Sequence, residues 1–225
     1  MATRKTPKAT PAEKDPADRM PKRPPIGHIR GFFLMLLTLA AVTAPHWPPH
    51  SGTHEAMSFL GHLLVSGGVL IRVAASLYIG GRENESLITD GPFSLVRNPL
   101  YLGALLAATG AAMLTGSIII ASLLPAAVAI YYRMWAAREE AYLNRKFGAR
   151  YRKYADRVPR WLPERPLWRM PARDQWRGPA EISIRPYFVL RAAMDASVIL
   201  LAIPLLEALC VLREHGVVPT LLNLP

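Results

Sequence analysis

Two short stretches hold the residue types that can do chemistry. The first is "GPFSLVRNPLYLG", Gly91 to Gly103, where Arg97, Asn98 and Pro99 stand directly before a run that stays apolar to Leu114. Asn98 is a favoured N-cap, Pro99 suits the first helical position and Asp90-Gly91-Pro92 is turn chemistry, so the stretch predicts a helix start. The first backbone N–H groups of a helix have no partners within it, and Arg97 sets a fork-shaped cation beside them. That combination suits a carboxylate or a phosphate. The same residues also read as a plain helix start, with Arg97 and Tyr101 as ordinary anchors at a membrane interface.

The second stretch is "RMWAAREEAYLNRKFGARYRKYADRVPRWLP", Arg133 to Pro163, in which Glu139 and Glu140 stand out. Although the segment is crowded with cations, the positions three and four residues from either glutamate hold Trp135, Ala136, Ala137, Tyr142, Leu143 and Asn144. Neither carboxylate therefore has a local helical counter-charge. Partners have to come from another segment or from solvent, and a solvated acidic patch is the plain alternative.

The elements that position these residues are legible as blocks. The chain has 225 residues, 51% of them hydrophobic, gathered into runs separated by basic, proline-rich segments. That pattern predicts an all-α, polytopic membrane helix bundle. A soluble nucleic-acid binder can have the formal charge of +11, but not the uncharged apolar blocks, so no nucleic-acid partner is expected. The single cysteine, Cys210, excludes an internal disulfide and a cysteine metal cluster. The first apolar run begins only near Gly31, and its exit "TAPHWPPH" lacks a small-x-small site, so it is expected to be a retained span and not a cleaved signal.

Five spans are expected: Ile29 to Ala44, Ala56 to Ile79, Pro99 to Leu114, Ser117 to Ala137 and Phe188 to Leu212. A bilayer core takes roughly 20 helical residues, so the first and third are short. Residues 1–28 predict a disordered basic tail, 29–163 a membrane core of four helices with a cytoplasmic cap, and 164–225 a cytoplasmic connection plus the final span. Lys and Arg crowd the tail, recur at Arg82 and Arg97 and again from Arg138 to Arg185, but are missing from Pro45–Glu55 and from the "LTGS" turn. By the positive-inside rule the N-terminus lies in the cytoplasm, the C-terminus outside, and both chemical stretches face the cytoplasm. An inner-membrane location assumes a bacterial source.

Within the spans, Gly103, Ala107 and Ala111, and likewise Ala104, Ala108 and Ala112, recur at four-residue spacing and predict close helix approach. The third and fourth spans form a tight hairpin through Thr115, Gly116 and Ser117. Arg191 and Asp195, four apart, are expected to pair within the last span, where Pro204 introduces a kink. His62 is expected to hydrogen-bond between helices. His46, His50 and His54 lie among Pro45, Pro48 and Pro49, which break helical ligand geometry, so no metal site is expected.

The ordered set "GPFSLVRNPLYLG", a small-residue hairpin and "REEAYLNRKFGARYRKYADRVPRWLP" resembles the integral-membrane methyltransferases of the isoprenylcysteine carboxyl methyltransferase and phospholipid N-methyltransferase type. The resemblance covers roughly Leu87 to Pro163. In that family a Gly-x-x-x-x-x-Arg-His-Pro-x-Tyr-x-Gly stretch and a later Glu-Glu pair with Phe-Gly and spaced tyrosines build a pocket for S-adenosylmethionine. Gly91, Arg97, Pro99, Tyr101 and Gly103 match the first part. Glu139, Glu140, Leu143, Phe147, Gly148, Tyr151, Tyr154, Val158 and Pro159 match the second. Asn98 stands where many relatives have histidine, and an amide cannot take a proton near neutral pH.

The resemblance implies an S-adenosylmethionine-dependent transfer of a methyl group to a lipophilic or prenylated acceptor at the bilayer. Its implied cofactor residues are Gly91, Arg97, Asn98, Pro99, Tyr101, Leu102, Gly103, Glu139, Glu140, Phe147 and Tyr151, with Arg97 and Glu140 at the chemistry. The helix start at Pro99 to Leu102 and Arg97 are expected to hold the methionine carboxylate, and Glu139 or Glu140 its ammonium or the ribose hydroxyls. A second resemblance, to membrane sterol reductases, implies NADPH, but adjacent carboxylates repel a phosphorylated dinucleotide. A scaffold or permease is the non-enzymatic alternative, with Arg72, Arg191, Asp195 and Glu207 as its polar groups.

Overall fold

The computed structural model describes Gly31, Met35 and residues 51–80, 86–162 and 186–217. The expected basic tail, the first span apart from helical Gly31 and Met35, the loop histidines His46 and His50 and the connection over 163–185 lie outside the described residues. Among the described residues the regular structure is helical: α1 is Gly52–Ile79, α2 is Pro99–Leu114, α3 is Ile118–Phe147, α4 is Ala149–Ala155 and α5 is Pro186–Glu214. A single 3₁₀ turn, Gly91–Ser94, precedes α2.

Three of these, α1, α3 and residues 189–212 of α5, are long and apolar enough to cross a membrane. Helix α2 has 16 residues, about 24 Å at the helical rise, and is a shorter apolar helix than these three. Its bounds coincide with the expected ones, because proline opens it and the Thr-Gly-Ser turn closes it. Gly116 takes a φ of 71°, in the left-handed region that favours glycine. Ser117 then caps α3 by accepting from the Ile120 N–H at 3.5 Å.

The 30 residues of α3 extend about 45 Å, well beyond a hydrocarbon core of about 30 Å. Its C-terminal turns, which hold Glu139 and Glu140, therefore stand clear of the apolar layer. The helix stops at Gly148, whose φ of 53° lets the chain reverse into α4.

Among the described residues, helices α1 and α2 form the most extensive contact. They meet backbone to backbone at two glycine pairs. A Cβ added at Gly68 would stand 2.5 Å from the Gly103 carbonyl oxygen, and one at Gly103 would stand 2.6 Å from that of Gly68. Gly61 and Gly110 repeat this approach seven residues further along the antiparallel pair. Small residues let van der Waals contact supply what hydrophobicity cannot supply inside lipid. Ala107, Ala111 and Ala112 are buried in the same seam, and with Val65, Val69, Ile120, Leu124, Ile199 and Leu206 they make the core shared by α1, α2, α3 and α5.

Helix α5 attaches to α1 through polar groups as well. The expected interhelical role of His62 is met by a 2.8 Å contact from its Nε2 to Oε1 of Glu207. The expected Arg191–Asp195 pair is corrected: Asp195 Oδ2 lies 3.6 Å from Arg72 Nη2 of α1. Sequence spacing puts Arg191 and Asp195 on one face, but that face packs against a helix with its own charge to neutralise. Inside lipid the opposite charge on the neighbouring helix is the stronger claim.

Candidate functional site

The entrance to α2 and the end of α3 are brought together by α4 and the segment after it. The Arg97 N–H donates to the Pro159 carbonyl at 2.8 Å, and the Tyr154 hydroxyl donates to the Phe93 carbonyl at 2.7 Å. Tyr151, Tyr154 and Val158 form a small second core with Leu87, Leu143, Phe147 and Ala155. This cap fixes one wall of a cavity with about 620 Å³ of atom-free space, part of it open to solvent. Arg97, Asn98, Glu139, Glu140, Phe147 and Tyr151 all line it, as do Leu143 and Tyr154.

Glu140 is the hub. Its Oε1 accepts from Asn98 Nδ2 at 3.3 Å and from Arg160 Nε at 2.9 Å, while Oε2 accepts from Arg160 Nη2 at 2.5 Å and lies 3.6 Å from Arg97 Nη1. The missing local counter-charge is thus supplied by two arginines from other segments. Such a bidentate fork fixes orientation as well as charge. Glu139 points differently: its Oε2 accepts from the Tyr101 hydroxyl at 2.7 Å. Tyr101 is itself held by stacking on Tyr132 of α3, with ring centroids 5.0 Å apart.

Two polar atoms at the cavity are left over. Arg97 Nε and the Tyr151 hydroxyl are buried without a hydrogen bond of ordinary geometry, although the hydroxyl lies within reach of the Arg97 side chain. Burial pushes the Tyr151 hydroxyl up from the ordinary tyrosine value, with the Glu140 charge adding and the neighbouring Arg97 opposing, as a hydrogen-bonding group and as a charge. Tyr154 is pushed further in the same direction, again mainly by burial. Both remain neutral donors through the physiological range. Unsatisfied buried donors in a cavity are costly, and a bound group that accepts from them relieves the cost.

The other expected site residues have different placements. Gly91 has a φ of 58° and lies against the face of the Tyr78 ring, so it shapes the turn and does not line the cavity. Gly103 belongs to the α1–α2 seam. Pro99 is buried and lacks an N–H, while the Leu102 N–H is taken by the Asn98 carbonyl at 3.0 Å. Leu102 is one residue too deep to offer a donor, which removes it from the helix-start group. Asn98 occupies the N-cap position, but its side chain makes no cap bond and turns to Glu140 instead.

Arg160 escaped sequence reasoning. It lies twenty residues from Glu140 and no helical register connects them; only the reversal at Gly148 does. Among the described residues, no group of three His, Cys, Asp or Glu side chains is arranged to hold a metal ion.

The model of the family described as phospholipid methyltransferase matches residues 56–150. Among curated relatives, the chain is 37% identical over 110 residues to the cobalt-zinc-cadmium resistance protein CzcN of Cupriavidus metallidurans, covering 49% of this chain and 50% of that protein. It is 31% identical over 158 residues to the nickel-cobalt-cadmium resistance protein NccN of Alcaligenes xylosoxydans xylosoxydans, covering 70% and 73%. It is 35% identical over 81 residues to the protein-S-isoprenylcysteine O-methyltransferase of Schizosaccharomyces pombe, covering 36% and 34%. The match thus spans half the length of the first of these and about a third of the yeast enzyme. No solved structure matches.

Proposed function

Because this chain belongs to the integral-membrane methyltransferase family of the isoprenylcysteine carboxyl methyltransferase and phospholipid methyltransferase type, we propose that its cavity binds S-adenosylmethionine and that the methyl group passes to a lipophilic acceptor. The observation that carries the reading is the convergence of Arg97, Asn98, Glu139 and Glu140 on one cavity with two buried atoms, Arg97 Nε and the Tyr151 hydroxyl, without a hydrogen bond of ordinary geometry. A zwitterionic amino acid with a ribose and an aromatic base fits that donor set. Its carboxylate answers Arg97, its ammonium or ribose hydroxyls answer Glu139, and Phe147 with Leu143 offers apolar contact to the base.

The cofactor supplies a methyl group already activated on a sulfonium centre, so the protein is asked for placement and exclusion of water. Arg160 and Asn98 hold Glu140, and Glu140 in turn holds the Arg97 guanidinium toward the cavity. Tyr101 holds Glu139 through a bond that ties the cap end of α3 to the first turn of α2. The proposed unit is the core 29–163, with the pocket on the cytoplasmic side and the N-terminus inside. The acceptor approaches laterally from the bilayer.

Calorimetric titration of the detergent-purified protein with S-adenosylmethionine, with NADPH in parallel, tests the reading. Saturable binding of S-adenosylmethionine alone is the expected result. Binding of NADPH alone, or of neither by a demonstrably folded sample, refutes it.

A further inference from the structure

A second polar cluster lies within the helices, beneath the first. Arg72 is on α1, seven residues before its end, and its Nη1 donates to the Leu100 carbonyl at 3.3 Å, two residues beyond the cavity-lining Asn98. Gly103 gives it passage, because a Cβ there would stand 2.8 Å from Arg72 Cγ. Asp195 faces it from α5, and both side chains are largely buried, 15% and 18% exposed. Tyr132 of α3 lies within electrostatic reach of both charges and stacks on Tyr101, whose hydroxyl reaches Glu139. The cluster is therefore contiguous with the wall of the proposed cofactor cavity.

The Arg72–Asp195 pair is loose. At 3.6 Å its closest approach is an ion pair but not a hydrogen bond. Arg72 Nε and Asp195 Oδ1 are both buried and both without a hydrogen-bond partner. One is an unused donor and the other an unused acceptor, inside lipid, where each is costly. A clasp meant only to join α1 to α5 would close this gap, as the His62–Glu207 contact at 2.8 Å does.

We propose that Arg72 and Asp195 form the polar end of the acceptor subsite, and that they recognise a neutral hydroxyl on a lipophilic body. This deepens the methyltransferase reading and rests on it. A hydroxyl satisfies both leftover atoms at once: its oxygen accepts from Arg72 Nε–H and its hydrogen is donated to Asp195 Oδ1. A carboxylate answers Arg72 but is repelled by Asp195, and an ammonium answers Asp195 but is repelled by Arg72. The net neutrality of the pair thus selects against both charged alternatives, including a prenylcysteine carboxylate. The apolar body lies in the bilayer alongside the packed contact of α1 and α5.

The test uses the full-length protein in phosphatidylcholine nanodiscs. Equilibrium binding of radiolabelled 4-dodecylphenol is measured, with its methyl ether and 4-dodecylbenzoate as competitors. Saturable phenol binding is expected, with the ether and the benzoate at least ten-fold weaker. The double variant Arg72→Met/Asp195→Leu, which replaces the pair with apolar side chains of similar size and so retains the fold, is expected to lose at least ten-fold in phenol affinity. Its calorimetric affinity for S-adenosylmethionine is expected to stay within about three-fold of the wild type. Unchanged phenol binding in the double variant reduces the pair to a helix clasp or a bridging-water site and overturns the proposal, as does benzoate binding tighter than phenol. Phenol binding by a protein that does not take up S-adenosylmethionine sinks the methyltransferase reading alone; the converse sinks the subsite alone.

Discussion

The α1–α2 seam and the cap over the cavity solve the same problem, holding two segments in register, by opposite means. In the seam the glycine pairs Gly68–Gly103 and Gly61–Gly110 remove side chains until backbones touch. In the cap the segments are held apart and joined through long side chains, with Glu140 gathering Asn98, Arg97 and Arg160. The first arrangement tolerates no ligand. The second leaves buried polar atoms at Arg97 and Tyr151 available beside a cavity, as a binding site requires. The close-packed seam and the open cavity lie within one helix of each other, since α2 begins at the cap and contributes Gly103 and Gly110 to the seam.

Glu140→Ala strikes the cap hardest. It leaves Arg97 and Arg160 without their shared partner, and affinity for S-adenosylmethionine is expected to fall about a hundred-fold or more, the scale of removing one member of a buried charge pair. Calorimetry on folded, membrane-inserted protein reads this directly, and an unchanged affinity removes the acidic pair from the site. Gly110→Ala strikes the seam at the end away from the cavity, where a Cβ would meet the Gly61 carbonyl and stand 2.8 Å from the Val65 N–H. A stability loss of about 1–3 kcal/mol is expected from such overpacking, seen as a lower thermal midpoint in detergent. Cofactor affinity of the protein that remains folded should change by less than about three-fold. A loss comparable to that of Glu140→Ala would show that seam and cap are one unit after all.

The smallest effect is with pH. Tyr151 and Tyr154 hold their phenolic protons more tightly when folded than when unfolded. Their contribution is therefore complete below the ordinary tyrosine value of about 10 and declines as pH rises beyond it. Thermal midpoints measured from pH 7 to 11 should show no tyrosine-derived slope below about pH 9.5 and a downward slope above. An upward slope in that range would place these hydroxyls in an environment that favours their anions, contrary to a buried cap.

What was legible in the sequence follows the same division. The bounds of α2 could be read because they rest on local chemistry, a proline that cannot sit deeper in a helix and a glycine turn that ends it. The gathering of Arg97, Asn98, Glu139 and Glu140 was implied by the resemblance, and the structure brings them to one cavity. Arg160 was not legible, because the reversal at Gly148 makes it a neighbour and no periodicity encodes that. Asp195 was assigned to Arg191 by helical register, a rule that knows one helix and not the charge on the next. Asn98 occupies the cap position that its type suggests, yet its side chain makes no cap bond and donates from Nδ2 to Glu140.

The bond from the Arg97 N–H to the Pro159 carbonyl has a bearing on biogenesis. Helices α1 to α3 can enter the bilayer and pack along their glycines as they leave the ribosome, but the pocket has no ceiling until residues 159 and 160 have been synthesised. A nascent chain halted at Gly148 would be inserted and yet incapable of gripping a soluble ligand. The cap is thus completed after α1 to α3 but before α5, Pro186–Glu214, whose Ile199 and Leu206 complete the shared core.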